Sequence, residues 1–457
     1  MVVGGMVGAG VFSLPRRFAA ETGIYGALIS WLIAGTGMLT LALVFQLLAL
    51  RKPTLDSGVY AYAKAGFGEY LGFFSAFGYW ASACVGNVTY WVLIMSTVGA
   101  IVPALGQGDT LLAVGLSTIG VWLFVTLIMR GVEEAATINK IVTVAKVIPI
   151  LVFILLCLFA LDVDVLADNL SGGPGLGSLF DQVRGTMLAT VFVFLGVEGA
   201  SVYSRYARKR EDVGRATLLG FLSVLAVFSS VTIVSYGILP RAEIAQLRQP
   251  SMAGVFEEAV GSWGAVFVSV GLIVSVLGAY LAWTLMAAEV LTVAAEDDDM
   301  PRFLRRTNAA GAPVPALLMT TVLIQVMLFV TLVSEDAFDF MLNMTSALSL
   351  VPFVLAAGYA VRLVGGLETD RSSEGRTRDL VVAALATIYT LFLLVAAGPK
   401  YVLVSFIIYA PGTILFVMAR REQGRQVFSP RELAILVVSV IGAVAAVVAL
   451  VAGWITI

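Results

Sequence analysis

The chain has 457 residues, 60% of them hydrophobic and only 13% charged, and its mean hydropathy is +0.97. That balance excludes a soluble globular protein, and a net charge of −2 gives no pointer to nucleic acid. There is no histidine, so the commonest metal ligand and the usual neutral-pH proton carrier are missing, and any proton coupling falls to Glu, Asp, Lys or Tyr.

Apolar runs recur along the whole length and predict an all-α integral membrane protein. Thirteen candidate spans lie near 1–20, 24–50, 70–102, 110–129, 141–161, 184–204, 216–238, 263–292, 315–333, 339–361, 379–397, 401–419 and 433–457. The longer polar connections fall near 51–69, 162–183, 239–262 and 296–314. One set of loops carries 21 of the 28 Lys and Arg residues, which puts the N-terminal side in the cytoplasm and, after thirteen crossings, the C-terminal side outside. Cys84 and Cys157 sit inside apolar segments and read as small core residues. Spans one to five and six to ten have opposite topology, because five is odd. Residues 1–362 are therefore expected to form an inverted-repeat core, with 363–457 as peripheral spans eleven to thirteen.

Two glycine-broken stretches open these blocks. Gly8-Ala9-Gly10 interrupts the first span and Gly196-Val197-Glu198-Gly199 the sixth. Interruptions at corresponding places in two halves of a chain point to a transporter's binding site near mid-membrane. Only seven residues precede Gly8. They cover roughly 10 Å, too little to reach the inner surface, so a start upstream of Met1 is expected.

Unwinding at the first break frees N–H groups near Val11 and Phe12, which suit an anion such as a carboxylate. Gly4 and Gly8 also form a small-xxx-small pair, so close helix packing is the alternative. At the second break, carbonyls near Phe192 and Phe194 are candidates to accept an ammonium group. Glu198 would titrate beside them, since a carboxylate inside a span is costly and functional by default. Ser82, Ala83 and Asn87 fall close to one face of span three, where small residues open space and the Asn87 amide faces either a ligand or another helix. Trp283, Phe192 and Tyr79 are candidates for an aromatic cage and otherwise pack the core. Lys146 either snorkels to the inner interface or points into the bundle. Arg16 and Arg17 are placed at the outer surface. The run Glu296-Asp297-Asp298-Asp299 reads as a solvated helix end, and no metal site is expected.

Several stretches together resemble the amino acid–polyamine–organocation superfamily, and within it the basic amino acid/polyamine antiporters of the arginine/ornithine type. They are Val7 through Pro15, Tyr79-Trp80 through Gly86-Asn87, Phe194 through Val202, Ala282-Trp283-Thr284-Leu285, and the loop Met300-Pro301-Arg302-Phe303 with Asn308, Gly311 and Pro313. The likeness spans one to twelve. It implies a leucine-transporter-type 5+5 inverted-repeat bundle of twelve to thirteen transmembrane helices in the cytoplasmic membrane. It also implies a substrate site between spans one, three, six, eight and ten. Gly8, Ala9 and Gly10 match the family's carboxylate-binding break, and Ser82, Ala83 and Asn87 match positions that contact a guanidinium end. Trp283 matches an aromatic over the substrate's aliphatic part. Glu198 matches a proton-sensing residue, and Lys146 resembles a lysine at a vacant sodium site. Thr345 or Ser346 is expected to line the site from span ten.

Two departures stand out. Phe192 replaces a tryptophan of the arginine/agmatine exchanger, and Ala9 replaces a serine. Together with the thirteenth span they favour an arginine/ornithine-like substrate pair, carried by alternating access with Phe192 as the outer gate. No cofactor and no nucleic acid are implied; the partners are amino acids and the bilayer, with a homodimer left open. The rival within transporters is a proton-coupled symporter using Lys146. A membrane-embedded enzyme finds no convergent nucleophile–base pair or metal set, and a channel or sensing receptor is the remaining alternative.

Overall fold

The computed structural model describes residues 6–52, 55, 59–131, 135–173, 175–198, 210–366 and 375–457, apart from the side chains of 135–145 and 210–217. Met1, with the inner end of span one, and Gly199, with the inner half of span six, lie outside these described residues.

Apolar runs of this length fold as helices because hydrocarbon offers backbone groups no other partner. In chain order the helices are α1 (Leu14–Glu21), α2 (Ile24–Arg51), the short α3 (Val59–Phe67), α4 (Glu69–Gly99), α5 (Leu111–Met129), α6 (Ala135–Ala160), α7 (Leu179–Phe194), α8 (Arg210–Ser235), α9 (Ser251–Val260), α10 (Ser262–Glu296), α11 (Val314–Val330), α12 (Ala337–Gly365), α13 (Arg376–Glu422) and α14 (Pro430–Val451).

Among the described residues, nine helices are long and apolar enough to cross a membrane. One of them, α13, accounts for two crossings. At roughly 1.5 Å per residue its 47 residues would be far longer than a bilayer is thick. Gly398 breaks it with φ 71°, a left-handed value that glycine tolerates, and Pro399 follows. The chain turns back there. Asp379 pairs with Arg51 and Arg420 pairs with Glu69, both at the inner ends of spans, whereas Tyr401 meets Asn343 near the outer end of α12. That second arm and α6 bring the crossings among the described residues to eleven; the expected spans one and six are described only in part. The Ile457 carbonyl accepts from Glu335 N–H at 2.6 Å, so the last residue lies at the outer end of the bundle.

The core centres on α4, in which 94% of the most apolar stretch is buried, against 17% for α14. α4 packs on α10, α11 and α12, and α14 on α13. Large apolar side chains on α14, such as Val438, Ile441 and Val444, stay exposed, as lipid-facing positions do. A central α4 lets its middle turns face the breaks of spans one and six together.

Candidate functional site

The first break is real backbone. Residues 7–9 are not helical, a tight 3-10 turn runs over Gly10–Ser13, and regular α-helix begins only at Leu14. Ser13 Oγ donates to the Gly10 carbonyl at 2.7 Å and helps hold the turn. The Phe12 N–H donates to the Ala9 carbonyl at 3.2 Å, so one of the donors expected here is engaged locally. Glycine is required at position 10 by proximity. A Cβ there would lie 2.5 Å from Val193 Cγ1 and 2.9 Å from Phe192 Cδ1, so the first break presses on the last turn of α7, just before the second.

The second break is stabilised differently. α7 ends at Phe194, and Gly196 takes φ +102°. Leu195 N–H donates to the Phe192 carbonyl (3.3 Å) and Val197 N–H to the Phe194 carbonyl (3.2 Å). Each of these carbonyls keeps a second lone pair. The Glu198 side chain folds back over the turn. Its two oxygens accept from Gly196 N–H at 3.2 and 3.1 Å, and Oε1 accepts from the Tyr79 hydroxyl at 2.6 Å. Glu198 is only 1% exposed. A buried carboxyl held by a phenol and a backbone N–H has hydrogen-bond partners, the condition under which burial of a polar group is tolerable.

Between the breaks lies a cavity of about 390 Å³, part of it opening towards solvent. Its wall is Met6, Gly8, Ala9 and Gly10 from span one; Ser82, Ala83, Gly86 and Tyr90 from α4; Phe192, Val193 and Leu195 from span six; Trp283 from α10; and Thr345 from α12. The structure therefore brings together Gly8, Ala9, Gly10, Ser82, Ala83, Phe192 and Trp283. It also separates the two span-ten candidates. Thr345 faces the cavity, while Ser346 donates to the Leu188 carbonyl at 2.7 Å.

Four residues singled out in the sequence are not in that wall. Asn87 is fully buried, and its Nδ2 donates to Thr284 Oγ1 at 3.1 Å, so its amide braces α4 against α10. Glu198 and Tyr79 form the pair described above, behind the lining. Lys146 is 4% exposed, which settles its direction: it points into the bundle and does not snorkel to the interface. Tyr90 and Gly86 were missed, although they continue the Ser82 stripe at intervals of four.

Charged groups close both ends of the bundle. Outside, Arg16 pairs with Asp336 at 2.7 Å and Arg17 with Asp339 at 2.7 Å, while Arg17 Nη2 donates to Asn343 Oδ1 at 2.8 Å. These contacts tie α1 to the outer end of α12. Inside, the acidic run after α10 is not simply solvated, contrary to expectation. Tyr60 and Lys64, one helical turn apart on α3, reach it: Tyr60 donates to Asp297 at 2.5 Å, and Lys64 Nζ lies 2.7 and 2.8 Å from the two Asp299 oxygens. Burial pushes the Asp299 carboxyl up to about 6, despite the opposing pull of Lys64.

Residues 1–419 match the family model for amino acid permeases. The chain belongs to that family. Among similar proteins, this permease is 47% identical to an arginine/ornithine antiporter of Pseudomonas aeruginosa, across 100% of this chain and 96% of the relative. It is 41% identical to an L-lysine transport protein of Corynebacterium glutamicum (99% and 94% covered). It is 33% identical to an arginine/agmatine antiporter of Chlamydia abortus (92% and 88%). The permease is thus a multi-pass membrane transporter of the leucine-transporter-type fold.

Proposed function

We propose that this permease exchanges basic amino acids, with arginine and ornithine as the pair, by alternating access around the cavity between the two breaks. The observation that carries the reading is the meeting of both interrupted spans at one small cavity, where Gly10 touches Val193 and Phe192. Broken helices present unpaired backbone dipoles at mid-membrane, which suits the two charged ends of an α-amino acid. The relatives named for arginine, ornithine, lysine and agmatine narrow the side chain to a cationic one.

In this mechanism the α-carboxylate docks beside Gly8, Ala9 and Gly10, and the ammonium group takes the remaining lone pairs of the Phe192 and Phe194 carbonyls. The side-chain cation lies along Ser82, Ala83 and the faces of Trp283 and Phe192, whose π-systems attract guanidinium and ammonium groups. Asn87 sets the spacing of α4 and α10 through Thr284. Phe192 closes the outer path, and the Tyr79–Glu198 pair responds to protons next to the hinge. Residues 1–362 form the moving core, and the spans after them brace it. Exchange follows if the empty carrier reorients slowly and a bound substrate lowers that barrier.

The test is uptake of labelled arginine into liposomes that hold purified protein. Internal ornithine should stimulate uptake strongly, with no requirement for sodium. Equal uptake into liposomes with no internal amino acid would overturn exchange. The burial of Lys146 favours a second reading, proton-coupled uptake, which predicts net accumulation after a pH jump with no internal substrate.

A further inference from the structure

Tyr90 stands where the two breaks converge. Its ring meets Phe192 edge-on, with centroids 6.5 Å apart and an interplanar angle of 73°. Its hydroxyl oxygen lies 3.3 Å from the point a Cβ on Gly8 would occupy. The side chain lines the cavity and is 6% exposed. Among the described residues its O–H has no hydrogen-bond partner, and it is not one of the side-chain polar atoms sealed away from any accessible space. A phenol O–H that reaches the cavity and is not engaged by another side chain is available to donate to a ligand oxygen.

The first break is also poorer in donors than its outline implies. The Phe12 N–H is taken by the Ala9 carbonyl, and Ala9 has no hydroxyl of its own. A side-chain donor from α4 over Gly8 supplies what the backbone lacks there.

We propose that the Tyr90 hydroxyl donates to the α-carboxylate of the bound amino acid beside Gly8, and so selects amino acids over the corresponding amines that lack a carboxylate. The proposal rests on the cavity being the substrate site. A neutral phenol is suited to the task because an O–H bond to a carboxylate is short and charge-assisted, whereas an amine presents no acceptor at that place.

Tyr90→Phe tests it, since the ring and its contact with Phe192 are kept and only the hydroxyl is removed. In liposomes, labelled arginine and labelled leucine are each competed with arginine, ornithine and leucine, and with the matching amines agmatine, putrescine and isopentylamine. In the wild type each acid that is carried outcompetes its amine. In Tyr90→Phe that acid-to-amine ratio should fall about tenfold or more, through weaker binding of the acids alone. A ratio that stays the same, or acids and amines weakened equally, overturns the assignment. If leucine is carried in place of arginine, the basic-substrate reading fails, and the leucine-to-isopentylamine ratio still decides the role of Tyr90.

Discussion

The two breaks occupy corresponding places in an inverted repeat, yet they are built on different chemistry. At the first, small residues do the work: Gly8, Ala9 and Gly10 let the chain leave the helix, and Gly10 lets it press against Val193 and Phe192. At the second, a left-handed Gly196 reverses the backbone and Glu198 satisfies the freed N–H from within, with Tyr79 as its outer partner. One break keeps space and takes its chemistry from outside. The other carries its own carboxylate, which answers the freed N–H, and still lends Phe192, Val193 and Leu195 to the cavity wall. Shared topology thus divides into two constructions: open space at the first break, an internally satisfied turn at the second.

That division can be broken by substitution. The largest effect is expected at the touching point. Gly10→Leu should lower exchange by about a hundredfold, because even its first carbon meets Val193 and Phe192 and overpacking of that kind shifts backbone. Gly115→Ala on α5, where an added carbon meets nothing within 4 Å, is the control and should leave exchange intact. Initial rates in liposomes decide it; full activity in Gly10→Leu would refute the close approach.

Glu198→Gln comes next. The amide oxygen can still accept from Tyr79, but the group no longer titrates. Exchange should drop about tenfold, the equivalent of about 1.4 kcal/mol of lost charge-assisted hydrogen bonding, and its dependence on pH should flatten. A pH profile identical to that of the wild type would place proton sensing elsewhere.

Asp299→Asn, at the inner end, is expected to leave exchange at neutral pH nearly unchanged and to alter stability. The wild-type carboxyl binds its proton more tightly folded than unfolded, from an ordinary 3.8 up to about 6. Its contribution to stability is therefore highest below that range and declines as pH rises through it, by about 2–3 kcal/mol in all. Melting temperatures of both proteins in detergent between pH 4 and 7 should diverge accordingly; parallel curves would show that burial of Asp299 has no such consequence.

Much of the architecture was legible because its causes are local. Glycines in the middle of apolar runs marked both breaks, and Lys and Arg placement ordered the spans. The split between the expected spans 379–397 and 401–419 falls where the structure breaks α13 at Gly398. The site was legible where side chains follow helical geometry and obscure where partners come from afar. At about 100° per residue, Gly86, Tyr90 and Ala83 lie about 40°, 80° and 100° round α4 from Ser82, inside the arc that faces the cavity. Asn87 lies about 140° round, just past that arc, and turns to Thr284. Its polarity drew attention in the sequence, whereas Tyr90 looked like one more aromatic in a buried helix. The acidic run after α10 looked solvated because its partners, Tyr60 and Lys64, are more than 200 residues away in sequence.

The cavity wall bears no formally charged side chain among the described residues. An arginine or ornithine brings its own single positive charge into that neutral surround. Each loaded crossing is therefore sensitive to membrane voltage, by about 2.3 kcal/mol for a full charge per 100 mV. When one monocation leaves for each that enters, the voltage cancels and concentration ratios alone set the direction of flow. Were one of the two substrates electrically neutral, the same wall would turn the carrier into an electrogenic one.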